Sequence, residues 1–75
     1  MILKPGESIG AHRTDNREEM LIILEGTGQI ECEGESLEAG AEAIVYIPPN
    51  MLHNVTNTTQ QVDLKYIYVV TPVGS

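Results

Sequence analysis

An all-β sandwich or barrel is the fold this sequence predicts, and three observations carry the prediction. The apolar runs are short and rich in β-branched residues. Seven Gly and four Pro punctuate the 75 residues at close intervals. No amphipathic helix fits between them, and short strands at such spacing pack as two layers or a closed sheet.

The elements follow in order. Residues 2–4 read as a short first strand, and residues 8–13 as the first clear one. After a turn at Asp15-Asn16, residues 20–24 form an apolar strand, Met20-Leu21-Ile22-Ile23-Leu24. Gly26-Thr27-Gly28 turns the chain into residues 29–33, and Glu33-Gly34-Glu35 turns it again. Residues 43–47 then lead to Pro48-Pro49-Asn50, a rigid turn in which Asn50 suits a left-handed backbone conformation. Residues 53–56 and 64–71 complete the set, separated by polar residues 57–61. A single domain over residues 1–75 is expected, without repeat or linker.

Two strands lack a polar face. Both alternating faces of residues 20–24 are apolar. In residues 64–70 one face holds Leu64, Tyr66, Tyr68 and Val70, and the other ends in Ile67 and Val69. An antiparallel strand with one wet face alternates apolar and polar. These two therefore need cover on both sides, and a chain this short has one core to offer. A second copy is the economical cover, stabilising by roughly 25 cal/mol per Å² of apolar surface removed from water. A homodimer is expected, with the chain's own termini as the competing cover.

Composition narrows the function classes. A domain of this size buries only about 60% of its unfolded surface. There is no Phe or Trp, and Cys32 is the only cysteine, so no disulfide forms within the chain. Eleven acidic residues against four basic ones give a net charge of −7. With no basic stripe to neutralise phosphates, nucleic acid and anionic membranes are not expected partners. No run approaches the roughly 20 apolar residues of a membrane span. A cytoplasmic location is the default expectation, and a lone cysteine fits a reducing compartment.

The chain has two histidines. Alternation puts His12 on one face with Gly10 and Thr14, and Glu19 on one face with Leu21 and Ile23. If the flanking strands pair as a hairpin, His12 and Glu19 both point inward from its mouth. A carboxylate facing inward is costly unless paired or bound to a cation. His53 enters from far along the chain. Two imidazoles and a carboxylate would suit Fe(II), Mn(II), Ni(II), Cu(II) or Zn(II), with positions left open for water or substrate. The competing reading makes both histidines surface or hydrogen-bonded residues. Glu18 competes with Glu19 and faces solvent if Glu19 faces in. Cys32 reads as an inward core residue or a thiol beside the metal. Arg13 reads as a surface partner of an acidic neighbour, and Tyr46, Tyr66 and Tyr68 as packing residues or pocket hydroxyls.

Spacing then shows a resemblance. Gly6, five residues, His12, one residue, Thr14, four residues, Glu19, six residues and Gly26 resemble the first cupin motif. Pro48-x-Asn50-x-x-His53-x-x-x-Asn57 resembles the second, with Asn50 at its glycine. The cupin resemblance implies a jelly-roll barrel, short here and expected to be completed by dimerisation. It implies His12, Glu19 and His53 as ligands of a divalent transition metal. Thr14 stands where the motif has its second histidine, which leaves a three-ligand set similar to a facial triad. The family further implies a small-molecule ligand in the barrel, and dioxygenation or isomerisation of small oxygenated substrates if the chain is an enzyme. The alternative is a metal-free binding or sensory module, its ligand held in an apolar cavity of Leu21, Ile23, Ile30 and tyrosines.

Overall fold

A computed structural model describes residues 1–13 and 15–72. The described residues form eight strands and no helix: β1 (Ile2–Leu3), β2 (His12–Arg13), β3 (Arg17–Glu25), β4 (Thr27–Cys32), β5 (Glu35–Gly40), β6 (Ile44–Ile47), β7 (Leu52–Asn57) and β8 (Leu64–Pro72). They make two four-stranded antiparallel sheets, ordered β1-β8-β3-β6 and β2-β7-β4-β5. The expected jelly roll is this two-layered arrangement.

Period-2 alternation builds the core between the layers. Leu21 and Ile23 of β3, Val45 and Ile47 of β6, and Leu64 and Tyr66 of β8 are buried from one sheet. Ile30, Ala39 and Val55 meet them from the other. In β7 the buried residues are His53, Val55 and Asn57, alternating with more exposed neighbours. The inner face of β8 leaves the core after Tyr66, so Tyr68 and Val70 stand in the barrel mouth.

Four expectations need correction. The strand expected over residues 8–13 is interrupted: Gly10 has φ +89°, Ser8 makes an isolated bridge to Thr56, and only His12–Arg13 is a strand. The expected hairpin between it and β3 does not form. β2 pairs with β7, whereas β3 lies in the opposite sheet between β6 and β8. A strand apolar on both faces takes a central place in its sheet, and the turn at Asp15 (φ +57°) carries the chain across the sandwich to reach it. β3 also begins at Arg17, earlier than its apolar run. The remaining strand, β5, was not expected at all. It is an edge strand, exposed from Glu35 to Glu38, so its composition lacks a buried face.

Two turns owe their shape to positive φ. Glu33 (φ +48°) and Gly34 (φ +84°) make the two-residue hairpin between β4 and β5. Gly26 (φ +84°) is the corner where β3 passes to β4 in the other sheet, and Thr27 and Gly28 already belong to β4. A Cβ on Gly26 would lie 2.5 Å from the Asp63 carbonyl oxygen. Asn50 has the expected left-handed conformation, at φ +61°.

Asn57 closes the far end of the barrel from a fully buried position. Its side-chain amide donates to the carbonyls of Leu3 (3.0 Å) and Val62 (2.8 Å). Its oxygen accepts from the Thr59 backbone (3.0 Å) and hydroxyl (2.7 Å). It is a clamp on the β7–β8 loop.

Candidate metal centre

His12 and His53 are directly opposed on β2 and β7, so their side chains leave the same face of one sheet. Their ring centroids lie 4.3 Å apart. Glu19 reaches the same point from β3 in the other sheet, and one ligand atom from each residue lies within 4.8 Å of the others. His53 and Glu19 are buried, and His12 is exposed at the mouth. Convergence across the sandwich replaces the expected convergence within a hairpin, and the same three side chains meet.

Hydrogen bonding orients both imidazoles. Nδ1 of His53 contacts the Met51 carbonyl at 3.1 Å, and Nδ1 of His12 contacts the Gly10 carbonyl at 3.2 Å. A carbonyl only accepts, so each Nδ1–H donates to it and Nε2 is the ring nitrogen left for other partners. This backbone support is the pattern expected behind metal-bound histidines. Nε2 of His53 then lies 3.2 Å from Glu19 Oε2 yet makes no hydrogen bond, and it is buried. With Nε2 unprotonated, two buried acceptors face one another there. A cation between them, or a second proton on the ring, resolves the conflict.

A cleft of about 400 Å³ opens over His12 and Glu19. Ile9, Tyr66, Tyr68 and Val70 supply apolar wall, and Arg17 stands at the rim. Burial, then the charge of Glu19, then Tyr68, push the Tyr66 hydroxyl up to about 12. At neutral pH it is therefore a proton donor to the cleft. Leu21 and Ile23, expected to line a cavity, are instead core, and Ile30 lines a separate cleft with Val45 and Ile47.

The remaining candidates fall elsewhere. Glu18 turns away from Glu19 and accepts a hydrogen bond from the Tyr46 hydroxyl at 2.8 Å on the outer face. Cys32 packs against the core, and burial, then Glu33 and Glu35, push its thiol up, which disfavours the thiolate a metal requires. Arg13 donates to Glu33 (3.1 Å) and to the Asn50 carbonyl (2.6 Å), the acidic pairing expected of it. Thr14 lies outside the described residues. The sequence reading missed Arg17 at the rim and the carbonyls of Gly10 and Met51. Arg17 precedes Glu19 by two residues on one strand face, a signal hidden because the apolar run alone defined that strand.

Known proteins agree with this architecture. The family described as "Cupin domain" matches residues 1–70. The chain belongs to the cupin family. It is 26% identical over 73 residues to a protein named polyketide synthase CurC from Streptomyces cyaneus, covering 97% of this chain and 47% of that one. A predicted oxalate decarboxylase from Thermotoga maritima superposes with a TM-score of 0.90 at 26% identity, over 96% of this chain and 62% of that one. A cupin 2 conserved barrel domain protein from Salinispora arenicola gives a TM-score of 0.78 at 29% identity, over 92% and 56%. The chain thus spans about half to three-fifths of the length of these relatives.

Proposed function

We propose that His12, Glu19 and His53 hold one divalent transition metal ion, drawn from Fe, Mn, Ni, Cu and Zn, and that the cleft above it receives a small oxygen-bearing ligand. The observation that carries this reading is the buried approach of His53 Nε2 to Glu19 Oε2, 3.2 Å apart without a hydrogen bond. The donor set suits such an ion: two nitrogens of one tautomer and one carboxylate. Three protein ligands leave positions for a ligand, and a bound ion supplies Lewis acidity to an oxygen placed there. The chain's own contribution is to orient both rings through Gly10 and Met51, to exclude water with Ile9 and Val70, and to present the Tyr66 hydroxyl as a donor.

Elemental analysis of protein purified without added metal is the test. Near-stoichiometric metal in the native chain, lost in His53→Ala, supports the reading. Absence of metal from the native chain and after reconstitution overturns it. A second reading is favoured by the same pair: a doubly protonated His53 ring bound to Glu19 makes a metal-free ligand module. In that case the apolar wall of the cleft supplies the ligand's binding, and added metal leaves the melting temperature unchanged.

A further inference from the structure

Positive charge is concentrated in one place on this acidic chain. Eleven acidic residues stand against four basic ones, a net of −7, yet both arginines of the sequence, Arg13 and Arg17, line the cleft above the candidate metal centre. Asp15 and Glu19 are the acidic side chains lining it, so the two signs balance. A divalent ion held by Glu19 would tip that balance towards positive, a surplus that rests on the metal reading above. Arg13 is tied through Nη1 to Glu33 (3.1 Å) and to the Asn50 carbonyl (2.6 Å), which fixes its charge beside the cleft. Arg17 belongs to the row of β3 that carries Glu19 and Leu21, and the partners of this row across β8 are Pro72, Val70 and Tyr68. It stands two residues before Glu19, about 7 Å along the strand. Val70 and Tyr68, with Ile9, make the wall beside that row apolar.

We propose that Arg17 is the specificity-determining residue of this cleft, selecting a small organic anion whose single carboxylate pairs with the guanidinium. The apolar body of that anion lies along Ile9, Tyr68 and Val70 and spans the roughly 7 Å towards the metal centre. A guanidinium carries five donors in a planar fork that matches the two oxygens of a carboxylate, so a contact within the chain leaves others for a ligand. An amine of the same shape meets like charge, and a neutral molecule of the same shape lacks the ion pair. The apolar wall contributes equally to all three, so discrimination among them falls to the charge at the rim.

Titration calorimetry with hexanoate, 1-hexanol and hexylammonium tests this, one body with three head charges, on zinc-loaded and on chelator-treated chain. Hexanoate is expected to bind about tenfold or more tighter than either of the others. Arg17→Gln, at an exposed position, is expected to bring hexanoate down to the level of hexanol and to leave hexanol unmoved. Arg17→Lys is expected to keep part of the preference, because the charge remains and the fork does not. Circular dichroism shows that both variants are folded, and both are expected to take up zinc no less than the wild type. A preference for hexanoate that Arg17→Gln abolishes supports the proposal. Seen in the chelated chain, it does so even where the chain takes up no zinc, which separates this inference from the metal reading. Equal affinities for the three probes in the wild type, or none measurable, overturn the proposal. A preference that Arg17→Gln leaves intact overturns it as well, since some other charge is then the selector.

Discussion

His53 holds its two ring nitrogens to opposite tasks: Nδ1 is anchored to the Met51 carbonyl, and Nε2 faces the Glu19 carboxylate without a hydrogen bond. The substitution Glu19→Gln separates charge from fit. Its amide can donate to Nε2, so the metal-free variant is expected to melt at or above the wild-type temperature. Its metal affinity, measured by titration calorimetry, is expected to fall about 100-fold or more. Tyr66 gives a second test at this scale. Burial raises its folded pKa to about 12, against an ordinary value of 10. Below pH 10 the hydroxyl is protonated in both folded and unfolded chains and stability is unaffected. Between 10 and 12 the unfolded chain alone loses the proton, so stability falls as pH rises. The loss reaches about 2–3 kcal/mol for the metal-free protein. Urea titrations across that range are expected to show the decline in wild type and to show it flattened in Tyr66→Phe. The three candidate ligands were legible in the sequence through motif spacing. Their support was not, because backbone carbonyls such as those of Gly10 and Met51 leave no side-chain signature.

Strands were legible where one face enters the core. β3, β4, β6, β7 and β8 each carry alternating or continuous apolar residues, and the sequence places all of them to within a few residues. β5 escaped because Glu35, Ser36 and Glu38 make an edge that asks for no burial beyond Ala39. The partner of β2 was misread because adjacency along the chain favours a hairpin. Here the turn at Asp15 crosses between sheets, and pairing with β7 is a contact at long sequence separation. Loop closure is most sensitive at Asn57. Asn57→Ala removes four side-chain hydrogen bonds, of whose partners the Thr59 hydroxyl and Val62 carbonyl still hold each other at 2.9 Å, and its expected cost is about 2–4 kcal/mol, read as a lower urea midpoint with unchanged slope.

At the scale of the molecule, the second face of β3 stays apolar and uncovered in the single chain. Met20, Ile22, Ile67 and Val69 are apolar on a side the chain's own core does not use. If two copies meet there, unfolding is linked to dissociation, and the melting temperature is expected to rise with protein concentration in the wild type and not in Ile67→Glu.

The candidate metal centre draws two residues from one layer of the sandwich and one from the other. An ion seated there would rivet the layers together, and chelation would withdraw the rivet. β2 would be first to loosen, since it is two residues long, lies at the edge of its sheet and is held by β7 alone. Amide hydrogen exchange is therefore expected to quicken at His12 and Arg13 on adding chelator, while Leu21 and Val55 in the middle of the core keep their protection.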